Sequence, residues 1–432
     1  MRKVNIGILR APQIHFCLSG GYSLDGVAVP DGDYSVTAKD GAIVWQGVLR
    51  DTLSFIPLNE ESHFTLHDVV IGVNFHWERK QNQTFAGTLC FIVEDGELRA
   101  INNLSVEKYL ESVISSEMSS TSSLEFLKAH TVISRSWLYA QLRRSGQSTE
   151  AQLGYEDDRC IMRWYARENH TLFDLCADDH CQRYQGITSE CSEKVAEAVA
   201  ATANLVLTYD GDVCDARFSK CCGGMTEKFS ACWEDKDFDY LDSFRDNDGK
   251  VGFLDLTDEE AARSWIESSP ASFCNTDDRE VLSQVLNGYD CETNDFYRWQ
   301  VRYTQEEITR LIEKRSGISF GKIEELQPVE RAASGRLVAL RIVGTNRSVV
   351  VGKELEIRRW LSPSHLYSSA FVVDKLCGKN GEISFLLKGA GWGHGVGLCQ
   401  IGAAMMGERG YSFSQILEHY YPGSLLQNID EV

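Results

Sequence analysis

The run Ile101-Asn-Asn-Leu-Ser-Val-Glu-Lys-Tyr-Leu-Glu-Ser-Val-Ile-Ser-Ser-Glu117-Met118 is where the chain changes character. Before it the sequence reads as strands, and from Val106 onward it reads as helix. At 100° per residue, Val106, Leu110, Val113 and Ile114 share one stripe, so a helix over 106–118 is predicted. Ser105 is its expected N-cap, with Lys108 where a capping box would want Glu. Glu117 falls about 20° from Val106 around the helix, inside the apolar stripe. A carboxyl there loses hydration and its pKa rises, which suits a general acid near neutral pH. The position equally suits a buried Glu satisfied by a base such as Arg135, or a helix that has already ended.

Toward the N-terminus, residues 31–47 alternate β-formers with Asp-Gly turns, and Phe85 to Leu98 gives two more strands around Glu94-Asp-Gly-Glu97. A β-rich unit over 1–100 is expected. Toward the C-terminus, a second helix follows over 123–144, after Ser119-Ser-Thr-Ser-Ser123, and then an irregular stretch over 145–175. Residues 337–357 read as strand, turn and strand, and two helices close the chain. Helices and mainly antiparallel strands alternate without a regular βαβ winding, so the fold class is α+β. Residues 234–260 carry 11 Asp+Glu against 3 Lys+Arg, and an acidic, solvated insertion is expected over about 234–300. The rest of 101–432 is expected to form one catalytic domain.

The chain has 432 residues, 43 Lys+Arg and 63 Asp+Glu, a formal charge of −20. That balance argues against nucleic acid, whose phosphates need a cationic footprint, and against docking on an anionic membrane. No stretch reaches the length of a spanning helix. Met1-Arg-Lys3 is positive, but no apolar core of a signal peptide follows. Either the chain is not exported by that route or its leader lies outside this sequence.

Three further stretches carry chemistry. In His170-Thr-Leu-Phe-Asp-Leu-Cys176-Ala-Asp-Asp-His180-Cys181, two imidazoles and two thiols make a set that Zn²⁺ takes as a tetrahedron. A Cys176–Cys181 disulfide, or reduced core cysteines, is the alternative. In Gly389-Ala-Gly-Trp-Gly-His-Gly-Val-Gly397, glycine fills every second position; in a strand this strips one face of side chains, leaving room for a backbone or a flat ligand. Trp392 and His394 on the other face suit sugar stacking and hydrogen bonding. In Phe218-Ser-Lys-Cys-Cys-Gly-Gly-Met-Thr226, paired glycines after vicinal cysteines read as a structural tight turn.

Together these stretches resemble the stage II sporulation protein D/amidase-enhancer domain family of bacterial cell-wall remodelling. The likeness runs over about 85–427. It includes Ser116-Glu-Met118, Leu127 to Arg135, Gln182-Arg-Tyr-Gln-Gly186, Ala216 to Thr226, Gly391 to Ala403 and His419-Tyr-Tyr-Pro-Gly423. The resemblance implies a lytic transglycosylase acting on glycan strands stripped of stem peptides, with Glu117 as acid/base. It carries substrate binding to Arg135, Ser219, Gly223, Gly224, Thr226, Trp392, His394 and Gln400. It implies one zinc at His170, Cys176, His180 and Cys181, structural or assisting catalysis. A wall substrate implies extracytoplasmic action. A non-enzymatic enhancer that binds a cell-wall amidase is the rival within the same family. The family's Pro and Trp-Pro after Glu-Met are replaced here by Ser119-Ser-Thr-Ser-Ser123.

Overall fold

Alternation in the N-terminal hundred residues builds two antiparallel sheets. The computed structural model of the chain describes residues 2–71, 79–119, 121–144, 153–165, 170–178, 181–188, 191–249, 254–285 and 295–432. Two compact units divide it: residues 1–120, 130–146 and 167–204 form the first, and 121–129, 147–166 and 205–432 the second. The expected boundary at residue 100 falls inside the strand Glu97–Ser105. That strand pairs with Lys3–Ala11 and cannot be parted from it without opening a sheet.

In the first unit, one sheet has the order Leu175–Cys176, Lys3–Ala11, Glu97–Ser105, Thr88–Glu94, Leu53–Pro57, Tyr22–Leu24, Val27–Val29. The other runs Arg79–Ala86, His63–Ile71, Gln13–Ser19, Gly32–Lys39, Ala42–Trp45, Val48–Arg50. The Asp-Gly turns work as the sequence suggests. Asp40 and Gly41 sit at φ 51° and 79°, and Asp95 and Gly96 at 48° and 81°, the left-handed pair that a tight hairpin needs. Between the sheets, Phe16 of one meets Phe55 and Phe91 of the other, with ring centroids 5.3 and 5.2 Å apart. Each such pair adds about 0.5–1.5 kcal/mol beyond its burial.

Strand Glu97–Ser105 runs directly into helix α1, Val106–Glu117. Ser105 caps it by accepting from the Lys108 N–H at 3.4 Å. Helix α2 is Leu124–Arg144, and α3, Glu193–Ala201, packs on α1.

In the second unit a five-stranded sheet has the order Gly154–Glu156, Cys160–Arg163, Ser348–Gly352, Leu337–Gly344, Ile323–Arg331. A three-stranded sheet places Ile383–Ala390 between Arg298–Thr304 and Phe371–Cys377. Six helices accompany them among the described residues: α4 (Glu259–Glu267), α5 (Arg279–Val285), α6 (Gln305–Ser316), α7 (Glu354–Trp360), α8 (Gln400–Glu408) and α9 (Phe413–Tyr420).

Three sequence expectations change here. Residues 354–357, expected as strand, open helix α7. The expected solvated acidic insertion carries α4 and α5; Trp265, Phe273, Val281 and Leu282 are buried, and so is Asp246 among its acids. The irregular stretch 145–175 contains the strands Gly154–Glu156 and Cys160–Arg163, placed by pairing with Ser348–Gly352 rather than by any local signal. No described helix is long and apolar enough to cross a membrane.

Candidate functional site

Helix α1 ends on Glu117, which is half-buried; Met118 turns extended, and its N–H returns to the Ile114 carbonyl at 2.9 Å. Two turns back, Tyr109 is fully buried, donates to Gln182 Oε1 at 3.0 Å and stacks on Tyr184 at 5.4 Å. Burial pushes the Tyr109 hydroxyl well above its ordinary pKa, and the charges of Cys181, Cys176, Tyr184 and Glu117 push it further.

Arg135, on α2, is fully buried and grips Glu107 in the first turn of α1 through two bonds, Nε–Oε1 at 3.1 Å and Nη2–Oε2 at 2.6 Å. This bidentate pair holds α1 and α2 in register.

The expected metal ligands converge in the same unit. The donor atoms of His170, Cys176 and Cys181 all lie within 4.8 Å of one another, with Cys181 Sγ 3.6 Å from His170 Nε2. The fourth expected ligand, His180, lies outside the described residues. Cys176 is carried by a two-residue strand parallel to Lys3–Ala11, and the His170 ring stacks on Phe173 at 4.5 Å. One imidazole and two thiols are a soft donor set of the kind zinc takes.

The second unit gathers Ser219, Gly223, Gly224, Thr226, Trp392, His394 and Gln400 into one locality. Residues 219–227 run beside 392–399: Cys221 bridges Trp392, Glu227 bridges Val396, and Phe218–Ser219 pairs with Leu398–Cys399. The glycine run is not a strand. Strand Ile383–Ala390 stops there, and Gly391, Gly393, Gly395 and Gly397 all take positive φ, between 70° and 94°. The side-chain-free positions face protein. A Cβ would meet the Trp299 ring at Gly389, the Cys221 carbonyl at Gly391, the Ser219 side chain at Gly393, the Arg336 guanidinium at Gly395 and the Arg217 carbonyl at Gly397. A period of two describes a run whose every second residue is left-handed as well as it describes a strand. Of the two neighbours expected for the glycine face, a backbone or a flat ligand, it is protein that crowds all five positions, and the expected strand geometry is corrected to a packing seam.

Trp392 is half-buried, stacked on Phe296 at 4.7 Å and edge-on to Tyr367 at 4.9 Å. His394 Nδ1 accepts from the Val396 N–H at 3.0 Å, and the ring meets Trp233 edge-on at 5.0 Å. Burial, followed by the charges of Arg217, Arg336 and Arg358, lowers its pKa to about 3, so the ring is neutral. Ser219 Oγ accepts from the Gly395 N–H at 3.2 Å. Thr226 Oγ1 donates to the Asp242 carbonyl and accepts from the Phe244 N–H, both at 2.9 Å. Gly223 and Gly224 take φ 76° and 96° against Gly391 and Tyr297, the tight turn expected of them. Gln400 is buried at the start of α8.

One group went unseen in the sequence. Cys222, Asp246, Cys274 and Cys399 are all buried, with donor atoms within 4.8 Å of one another. The pairs that meet are separated by 24, 52 and 177 residues, so no local spacing signals them.

Residues 94–209 match the family described as stage II sporulation protein, and residues 227–397 match a domain of unknown function, DUF8618. The chain is 24% identical over 336 residues to stage II sporulation protein D of Bacillus amyloliquefaciens, an alignment covering 77% of this chain and 76% of that one. It is 22% identical over 334 residues to stage II sporulation protein D of Bacillus subtilis strain 168, covering 77% of each. It is 25% identical over 327 residues to the amidase enhancer of the same strain, covering 73% of this chain and 40% of that protein.

Proposed function

Because this chain belongs to the stage II sporulation protein D/amidase-enhancer family, we propose that it cleaves the glycan strands of peptidoglycan as a lytic transglycosylase. The observation that carries the reading is the setting of Glu117. It is a half-buried carboxyl at the C-terminal end of α1, inside the stretch 94–209 that matches the sporulation family and in the same unit as the His170, Cys176 and Cys181 cluster. The Glu117 carboxyl gives its proton to the leaving glycosidic oxygen. The resulting carboxylate then takes the proton from the sugar's own 6-hydroxyl, whose oxygen closes on the anomeric carbon and forms a 1,6-anhydro end. One carboxyl serves both steps, so the paired carboxylates of ordinary glycoside hydrolysis are not needed.

His170, Cys176 and Cys181 would hold one zinc, with His180 as the expected fourth ligand. Bound there, the ion supplies a structural clamp on the segment that leads into Gln182, the partner of Tyr109. Arg135 orients α1 through Glu107.

A second reading, a non-enzymatic enhancer of a cell-wall amidase, is favoured by the amidase-enhancer relative. Mass spectrometry of products from purified denuded glycan strands separates the two. Anhydro-ended fragments support cleavage. Intact strands, with faster release of stem peptides when an amidase is added, support the enhancer.

A further inference from the structure

We propose that Cys222, Cys274, Cys399 and Asp246 form a second metal centre, a tetrahedral site for zinc or a like soft divalent cation. It shares no ligand with the His170 cluster and does not depend on the catalytic reading of Glu117.

Three observations build it. First, the spacing fits. Around a tetrahedral ion with metal–sulfur bonds of about 2.3 Å, neighbouring ligand atoms sit roughly 3.3–3.8 Å apart. Cys222 Sγ lies 3.5 Å from Cys274 Sγ and 3.2 Å from Asp246 Oδ2. All four donors fall within 4.8 Å of one another.

Second, the carboxylate is aimed. Asp246 is fully buried, and its Oδ1 accepts from Tyr420 Oη at 2.9 Å and meets His419 Nε2 at 3.1 Å. Those partners leave Oδ2 to the thiols. Metal-bound carboxylates are typically oriented by such outer partners. Room is kept for this arrangement on α8, where a Cβ at Gly402 would stand 2.3 Å from Tyr420 Oη and 2.7 Å from Asp246 Oδ2.

Third, the sulfurs receive the hydrogen bonds that metal thiolates use. Cys399 Sγ accepts from the Cys222 N–H at 3.2 Å, and Cys274 Sγ lies 3.3 Å from Ser272 Oγ. An ion here would tie the Cys-Cys-Gly-Gly turn, the Asp246 segment, the Cys274 segment and the start of α8 into one knot.

The vicinal thiol of Cys221 is also buried, so it competes with Asp246 for the fourth position. The orientation of Asp246 decides for the carboxylate.

The test is elemental analysis of the full chain, purified reduced and without a metal-binding tag, together with Co²⁺ substitution. Wild type should hold about two zinc per chain, and Cys176→Ser about one, still with cobalt–thiolate charge-transfer absorption. Cys274→Ser and Asp246→Asn should each lose about one equivalent, whereas Cys221→Ser should lose none. The wild-type count and the cobalt spectrum of Cys176→Ser need no variant of the new site to fold. A wild-type count of about one that vanishes in Cys176→Ser overturns the proposal. So does a Cys222–Cys274 disulfide in intact-mass analysis of the freshly isolated protein. Loss of metal from Cys221→Ser with retention in Asp246→Asn overturns the ligand assignment.

Discussion

Replacing Gly395 by alanine should unfold the second unit's glycine seam, and the cost can be worked out atom by atom. Gly395 has φ 78°, where a Cβ costs about 1–2 kcal/mol on its own. The new Cβ would lie 2.4 Å from the Cζ of Arg336 and 2.6 Å from both of its terminal nitrogens. Arg336 is 1% exposed, so the guanidinium has no solvent to move into. It is held by Ser334 Oγ at 2.9 Å and the Cys222 carbonyl at 3.1 Å. The Gly395 backbone cannot retreat either, because its N–H is bound by Ser219 Oγ at 3.2 Å and its carbonyl by the Glu227 N–H at 3.0 Å. Reaching ordinary contact needs a shift of about 1 Å, which stretches both guanidinium bonds past useful length. Hydrogen bonds to charged groups contribute about 1.5–3 kcal/mol each, so the lower ends of the terms together give about 4 kcal/mol. Gly410→Ala is the control, since it shares the positive φ, 83°, with nothing within 4 Å of the added methyl; it should cost only about 1–2 kcal/mol. Urea unfolding followed by tryptophan fluorescence measures the difference. Equal midpoints for the two variants would refute the packing argument. A Gly395→Ala protein of full stability that no longer bound glycan would restore a ligand to that face.

Other expectations follow from the same geometry. Glu117→Gln should keep its melting temperature and lose about 10²–10⁴-fold in glycan cleavage, measured as anhydro-end formation against an active wild type; full activity in the variant would remove Glu117 from the chemistry. Arg135→Ala leaves Glu107 without its bidentate partner in a buried setting and should cost about 3–5 kcal/mol in calorimetry, with Arg135→Lys recovering only part. Acid should weaken the fold through His394. Its pKa is lowered from 6.5 to about 3 by burial and three arginines, so the unfolded chain takes up a proton that the folded chain refuses. The stabilisation is complete above pH 6.5 and lost as pH falls through that window, up to about 4–5 kcal/mol near pH 3. His365, lowered to about 4, acts in the same direction. His394→Gln should therefore flatten, but not abolish, the fall in urea midpoint between about pH 6.5 and 4.

Elements with a local cause could be read from the residues. The start of α1 follows from Ser105 and the apolar stripe, and the hairpins at Asp40-Gly41 and Asp95-Gly96 follow from the left-handed conformations those residues accept. The meeting of His170, Cys176 and Cys181 was legible because the three are close in sequence. The Cys222 cluster was not, since its members come together only after the turn at 221–224, the α4–α5 segment and the start of α8 have all packed. The glycine run misled for a different reason. Its spacing records where side chains are forbidden, and says nothing of whether ligand, neighbouring backbone or a guanidinium does the forbidding.

The route of the chain through its two units bears on how such a protein can be divided. The chain leaves the first unit at 120 and re-enters it at 130, partway along α2, then leaves at 146 and returns at 167. A cut at 204 would give an N-terminal piece with a complete first unit. It would also carry Phe126, Leu127, Ile161 and Met162, which the intact protein buries, as stray apolar residues on unfinished segments. The C-terminal piece would lack the strand Cys160–Arg163 beside Ser348–Gly352 and would present that strand's edge to other molecules. Neither half is a module that recombination could lift out and pass to another gene intact. The parts of this protein should travel through evolution together.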